Sequence, residues 1–491
     1  MQRTKRSVKI DSNMITFLIC LVLLVVAYFA HGSYLERVCK IDPRRAVPSQ
    51  SLYDGVDYVP MSRWRTFLIQ LLNIAGIGPI FGAIMGACFG PVAFLWITLG
   101  GIFMGAMHDF LSGVILVRNE GLSISEIVGR YMGRATLQFM RIFSIILLIL
   151  VGVVFLRSPA SILGEMIPSV PYWWWIGNII VYYFIATLLP IDKIIGKLYP
   201  LFGAALIFMA IGLAGVILFG DYSVPELSLS TLRNYQPNAE SLPIVPTLFI
   251  TIACGAISGF HATQSPLMAR CIKSEGDCRS VFYGAMITES IIALIWAAIA
   301  MAFFHGPDKL AVALAEHGNS AAWVVNTIST STLGIVGGIL AVLGVVAAPI
   351  TSGDTAFRSA RLIVADSLHI EQRSIPKRLL ISIPIFAIGI ALNFIDFDVV
   401  WRYFSWTNQA LATVVLWTIV VYHRREGYNI WVALLPAIFM TYICSSFVFI
   451  SDQFFGMDNR TLAYILGGVA TVVLTAIMWV KIKNSKPSKN D

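Results

Sequence analysis

Two stretches decide the fold of this chain: Ala75-Gly76-Ile77-Gly78-Pro79 and Thr251-Ile252-Ala253-Cys254-Gly255-Ala256-Ile257-Ser258-Gly259-Phe260-His261. Each interrupts an apolar run, the first from Thr66 to about Cys88 and the second from Ile244 to about Gln264. A helix in hydrocarbon must satisfy its own backbone polar groups, and glycines followed by a proline, which lacks an N–H, leave some unpaired. Such backbone is tolerated where it is buried in protein or lines a cavity. A pair of interrupted helices at matching places in two halves points to the binding site of a secondary transporter.

Working outward, the composition places most of the chain in a bilayer. Of its 491 residues 57% are hydrophobic and 13% charged, with a mean hydropathy of +0.78, whereas soluble chains carry about a quarter charged residues. The net charge of +8 does not indicate nucleic acid, because Lys and Arg fall between apolar runs. Seven cysteines are scattered, mostly within spans and without a CxxC pair, so neither a disulfide frame nor a zinc site is expected. Met14–Ala30 follows basic residues as a signal peptide would. It has no clean small-residue cleavage site, and it reads as an uncleaved helix.

Apolar runs of about 20 residues give an all-α polytopic membrane protein with about 13 transmembrane helices. Met14–Ala30 comes first. Ten core spans follow: Thr66–Cys88, Pro91–Val117, Thr136–Leu156, Tyr172–Leu189, Leu198–Leu218, Ile244–Gln264, Val281–Phe304, Thr332–Ser352, Lys377–Phe394 and Val400–Tyr422. Ile430–Ile450 and Thr461–Val480 close the chain. With the start of the first core span in the cytoplasm, most of the 35 basic residues fall inside. Only Arg157, Arg233, Lys309, Arg402 and Arg460 fall in outside loops. The odd count places the N-terminus outside, against the charge of Arg3, Lys5, Arg6 and Lys9, and the C-terminus in the cytoplasm. The expected division is 1–65, an N-terminal helix and cytoplasmic linker; 66–220 and 244–422, two inverted five-helix repeats opened by discontinuous helices; and 423–491, two helices and a basic tail. The repeat is inferred from spacing alone, since no residue-level repeat is visible.

Within this frame Gly76, Gly78, Pro79, Gly255, Ser258, Gly259, His261 and Asn408 are the candidate substrate-binding residues. Half-helix N-termini offer free N–H groups and a positive dipole end, suited to a carboxylate. Glycine in membrane helices more often serves close packing, which is the reading for Gly82 and Gly86; the proline directly after Gly78 sets the first break apart. Ionisable residues in spans are functional suspects because of their cost. Asp109, Glu289 and Asp354 are the candidate proton-coupling residues, with His108 and His261 at similar expected depth. Asp354 could instead pair with Arg358 one turn on, and His108 could sit neutral in a packed interface. Thr351, Ser352 and Thr355 could hold a sodium ion with carbonyls freed by the first break, or simply bond back to their own helix.

These motifs resemble the carbon starvation protein A (CstA) family. The resemblance rests on Ala75–Pro79, Gly105-Ala106-Met107-His108-Asp109-Phe110, Thr251–His261, Phe282-Tyr283-Gly284-Ala285-Met286-Ile287-Thr288-Glu289 and Pro349-Ile350-Thr351-Ser352-Gly353-Asp354-Thr355, and it covers the core from about Asp54 to Ala412. It implies an inner-membrane transporter of the amino acid/polyamine/organocation type, linked to peptide uptake when carbon is scarce, with some members similar to pyruvate–proton symporters. The matching motif positions are Gly76, Gly78, Pro79, Asp109, Gly255, Ser258, Gly259, His261, Glu289 and Asp354. The chain departs from longer members in having one helix before the core and shorter outer loops.

The expected function is symport of a small carboxylate-bearing nutrient, a short peptide or pyruvate, across the bacterial cytoplasmic membrane. The expected coupling ion is H+, with Na+ as the alternative; no cofactor is expected, and the partners are the small-molecule substrate and membrane lipid. A membrane-embedded enzyme holding a metal on His108, Asp109, His261 and Glu289 is a weaker reading, because no HExxH spacing occurs. A passive channel or starvation sensor is a third.

Overall fold

A computed structural model of the chain describes residues 14–55, 57–188, 191–370 and 374–485. Of the residues in the charge count, Arg3, Lys5, Arg6, Lys9, Arg373, Lys486 and Lys489 lie outside these, as does Leu189 at the end of a span. Every regular element among the described residues is helical. The principal ones are α1 (Ile15–Val38), α2 (Arg63–Ile74), α3 (Gly78–Ala87), α4 (Val92–Arg118), α5 (Arg134–Met166), α6 (Tyr172–Leu188), α7 (Ile191–Phe219), α8 (Gly259–Ala269), α9 (Gly284–Phe303), α10 (Ala321–Leu368), α11 (Ile375–Leu392), α12 (Phe397–Glu426), α13 (Trp431–Ile450) and α14 (Arg460–Asn484). Among the described residues ten helices are long and apolar enough to cross a bilayer, and the bent pair α2–α3, counted as one span, makes eleven. The chain is a multi-pass membrane protein.

Both interruptions are real breaks. Helices α2 and α3 meet at 51°, with Ala75 leaving helical geometry at φ −81°, ψ 57°. The second run forms short helical turns, Ile244–Leu248 and Phe249–Thr251, and then unwinds before α8 restarts after an extended Ser258. The breaks lie against each other. A Cβ on Gly78 would sit 2.4 Å from Cys254 Sγ, and one on Gly105 of α4 would sit 2.2 Å from the Ala256 carbonyl oxygen. Only glycine lets the backbones approach this closely. Around the breaks, α3 packs on α9, and α8 packs on α2, α12 and the second half of α4.

The expected eighth core span, Thr332–Ser352, is corrected in both directions. The helix begins at Ala321, kinks at Gly334 (φ 57°, ψ −142°) and continues to Leu368. Thr351, Ser352, Asp354, Thr355, Arg358 and Arg361 resemble a polar helix end in sequence, yet all are buried, in a helix that packs along α5. Tertiary burial overrides the local polarity.

Loop contacts mark two opposite faces. At one face the linker after α1 is tied to the 270–278 loop: Met61 N–H donates to the Cys271 carbonyl (2.9 Å), Ser49 Oγ to that of Ile272 (2.5 Å), and Arg63 pairs with Asp277 (2.9 Å). Glu275, fully buried there, accepts from Arg118 (2.6 Å), from Arg45 (2.6 and 2.7 Å) and from the Asp42 N–H (2.8 Å). At the other face Glu226 accepts from the N–H groups of Ile15 (2.5 Å) and Thr16 (2.9 Å) and from the Thr16 hydroxyl, capping α1. The ends of α1 therefore meet opposite faces, since Glu36 near its other end pairs with Arg279 (3.2 Å).

Candidate functional site

The unwound second break, the middle of α4 and the start of α9 bring four titratable side chains into one chain of contacts. His108 and Asp109 sit near the middle of α4, where a π-helical stretch, Trp96–Ala106, gives way to α-helix. The change of pitch turns small residues toward the break and aims the Asp109 carboxylate at α8. Asp109 is bonded on both oxygens, Oδ1 to His108 Nδ1 (2.8 Å) and Oδ2 to His261 Nδ1 (2.7 Å). The other ring nitrogen of His261, Nε2, lies 3.3 Å from Glu289 Oε2 on α9. All four side chains are 0% exposed. Neither Glu289 oxygen has a hydrogen-bond partner, so its approach to His261 is an ion-pair distance without hydrogen-bond geometry.

The charge balance of this cluster limits its states. With His108 neutral, an imidazolium between two carboxylates leaves one net negative charge, and one more proton makes the group neutral. Buried charge is costly unless compensated, so states near neutrality are favoured, and neighbouring ones differ by a single proton. Asp109 also fixes the orientation of His261, as a carboxylate does for a metal-bound imidazole. The donor atoms of Cys254, His261 and Glu289 all lie within 4.8 Å of one another. This set, rather than the His108, Asp109, His261 and Glu289 of the enzyme reading, could hold a metal ion.

The start of α8 was expected to present its N–H groups to a substrate carboxylate. Part of that role is filled from within the protein. Asn408 Oδ1 accepts from the Phe260 N–H (2.7 Å) and from Ser258 Oγ (3.1 Å), while its Nδ2 lies 3.5 Å from Cys254 Sγ. Asn408 thus caps the half-helix and ties α12 to the break. Gly76, Gly78, Pro79, Gly255, Ser258 and Gly259 are all buried; Gly78 and Gly255 lie at the contact between the two breaks, whereas Gly76 faces Phe155 of α5 and Gly259 faces α12.

Asp354 does not join the cluster. Its Oδ2 pairs with Arg358 Nη2 (3.3 Å), which also donates to the Ala186 carbonyl (2.7 Å). The bland alternative drawn from the sequence, an (i, i+4) pair, is what forms. The three hydroxyls bond to main-chain carbonyls: Thr351 to Ala348 (2.7 Å), Thr355 to Ser352 (2.8 Å), and Ser352 to both Ala348 (3.1 Å) and Leu72 (3.0 Å). Ser352 reaches the first broken helix, two residues before Ile74.

Sequence reasoning missed Cys254, and it missed the polar residues Gln70, Asn73 and Gln264. These last are buried near the breaks with side-chain oxygens unpartnered, and Gln70 donates to Ser265 Oγ (3.2 Å). The signal was present: Gln70 and Asn73 are three apart in an apolar run, one turn before the first break.

On the side of the breaks that faces the 236–242 loop lies a cavity of about 160 Å³. Thr251 and Met85 line it beside the broken helices, and Asp398, Trp401, Arg402 and Ser405 line it from the first turns of α12.

Comparison with known proteins identifies the family and the fold. Residues 12–168 and 161–336 match the family model described as carbon starvation protein CstA. An uncharacterized membrane protein of Haemophilus influenzae is 41% identical over 346 residues, 60% of this chain and 93% of its own. The pyruvate/proton symporter BtsT of Escherichia coli is 30% identical over 340 residues, 55% of this chain and 46% of its own. The peptide transporter CstA of Campylobacter jejuni is 29% identical over 336 residues, 56% of this chain and 48% of its own. The chain thus spans about half the length of these two named relatives, which are transporters and not enzymes. In fold it is similar to MhsT, solved in complex with L-phenylalanine, with a TM-score of 0.53 and 16% identity over 86% of this chain and 99% of the other. The family model covers well over half of the sequence, and the chain belongs to the carbon starvation protein CstA family.

Proposed function

We propose that this protein is a proton-coupled secondary transporter that imports small carboxylate-bearing nutrients, short peptides or pyruvate, across the bacterial cytoplasmic membrane. The observation that carries the reading is the fully buried Asp109–His261–Glu289 chain, which spans the second break and can gain or lose one proton without leaving an uncompensated charge excess beyond one unit. A break that moves between two arrangements would expose this chain to one side and then the other, as coupling requires. Asp109 and Glu289 are the carriers and His261 the bridge between them. Asp354, paired with Arg358, is assigned to holding α10.

The reading takes the two bent helices as openers of inverted five-helix repeats, 66–220 and 244–422, within thirteen spans, the N-terminus outside and the C-terminus in the cytoplasm. Gly76, Gly78, Pro79, Gly255, Ser258 and Gly259 supply the backbone that substrate meets when the breaks part, with Asn408 released from the half-helix to make room. Sodium coupling through Thr351, Ser352 and Thr355 is the second reading, favoured by the Ser352 contact to the Leu72 carbonyl.

Purified protein in proteoliposomes tests it. Labelled pyruvate or a labelled dipeptide is expected to accumulate under an imposed inward proton gradient and not under a sodium gradient alone. Equilibration without accumulation under either gradient sinks the transporter reading and leaves a passive channel or a sensor.

A further inference from the structure

The outer cavity holds charges of both signs that do not neutralise each other. Asp398 and Arg402 are four residues apart on α12, with Cβ atoms roughly 6 Å apart, and both line the hollow. This spacing ordinarily yields an ion pair, as in Asp354 and Arg358 on α10. Here none forms. Arg402 Nη1 donates to Gln453 Oε1 (3.2 Å), and Asp398 Oδ2 accepts from Asn319 Nδ2 at a long 3.4 Å. A second carboxylate, Asp452, lies at the cavity's rim.

Two buried polar groups in the same wall are also unspent. The Trp401 indole N–H and the Ser405 hydroxyl have no hydrogen-bond partner, although their residues are only 5% and 1% exposed. Buried donors without partners are uncommon in native proteins and call for an explanation. The two atoms are themselves closed off from the hollow, so within it a ligand carboxylate would meet Arg402 and a ligand ammonium Asp398 and Asp452.

We propose that this cavity is an outer loading site for a small zwitterion, best matched by a dipeptide. The inference rests on the transport reading and deepens it by choosing between its two substrate classes. A bare monocarboxylate such as pyruvate would meet Arg402 and leave two carboxylates facing it. A dipeptide in extended form separates its terminal charges by roughly 6 Å, about twice the separation in a single amino acid, and so can reach charged groups that do not touch each other. A closed hollow of about 150 Å³ takes a molecule the size of benzene, so a dipeptide seated here would extend through the cavity's open side.

Binding to the full-length protein in nanodiscs, with no gradient, tests the site. Labelled Ala-Ala is expected to bind, and capping its ammonium as N-acetyl-Ala-Ala, or its carboxylate as the amide, is expected to weaken binding about tenfold or more. Because the ligand is altered and the protein is not, this arm does not depend on a variant folding. Asp398→Asn is expected to reproduce the loss for Ala-Ala while leaving pyruvate within about twofold, and Arg402→Gln to weaken both. Absence of Ala-Ala binding, or N-acetyl-Ala-Ala competing as well as the free peptide, overturns the proposal. The two readings fail separately. Charge-dependent binding without gradient-driven uptake keeps the site and sinks the transporter. Uptake indifferent to both Asp398→Asn and N-acetylation keeps the transporter and sinks the site.

Discussion

The two faces of the molecule use charge in opposite ways. On the face that carries most of the basic residues, opposite charges are joined: Glu275 is gripped by Arg118 and Arg45, and Arg63 by Asp277. On the other face Asp398 and Arg402 share a cavity wall without joining. Paired charges tie separate elements to one another, and unpaired charges of both signs around a hollow leave it ready for a partner. The charge-paired face has hollows of its own, one of about 590 Å³ lined by Arg45 and Arg118, so the two faces differ in how their charges are held and not in which of them is open.

The comparison can be broken or sharpened in four ways. Glu289→Gln removes an ionisable group between the two faces. It is expected to abolish gradient-driven accumulation in proteoliposomes while counterflow exchange of labelled for unlabelled substrate persists. Glu275→Gln comes next. Removing one partner of a buried ion pair costs about 3–5 kcal/mol where both are buried, and the partial exposure of Arg45 puts this case at the low end. Hydrogen exchange is expected to rise across residues 40–61 and 270–278, and the outer-face variant Arg402→Gln should leave that region unchanged. If both variants loosen the inner face equally, the faces do not differ as described.

Gly78→Val is smaller in reach. Its side chain would enter the space held by Cys254 Sγ, an overpacking that costs about 1–3 kcal/mol, seen as a fall in thermal midpoint together with slowed uptake. Restoring room with Gly78→Val plus Cys254→Ala should recover part of both. The smallest effect is expected of Ser352→Ala, under about 1 kcal/mol for one hydroxyl bond. Proton-driven uptake should change less than about twofold, whereas a tenfold loss would favour the sodium reading.

Much of this was legible in the sequence, and the pattern of success has a physical basis. Helices were readable because each apolar run must be about 20 residues long to cross hydrocarbon, and the breaks were readable because glycine and proline announce missing hydrogen bonds. His108, Asp109, His261 and Glu289 stood out because ionisable groups are rare in such runs. Their convergence was not readable. It depends on how a π-helical stretch of α4 meets the second break, which no local periodicity encodes. The same limit explains Asp354 and its neighbours, which looked like a helix end and lie inside one. It also explains Asn408, expected to meet substrate and found capping α8. The unpaired charges of the outer cavity were hidden for a related reason: spacing alone predicts that Asp398 and Arg402 should pair.

The most direct measurement records protons and substrate together. Proteoliposomes loaded with a pH-sensitive dye, held without an imposed ion gradient, receive substrate from outside. The expected result is internal acidification that follows substrate entry in the unaltered protein and is absent in Glu289→Gln. Substrate entry with no acidification, or acidification undiminished in Glu289→Gln, would contradict the assignment of the buried Asp109–His261–Glu289 chain as the coupling device.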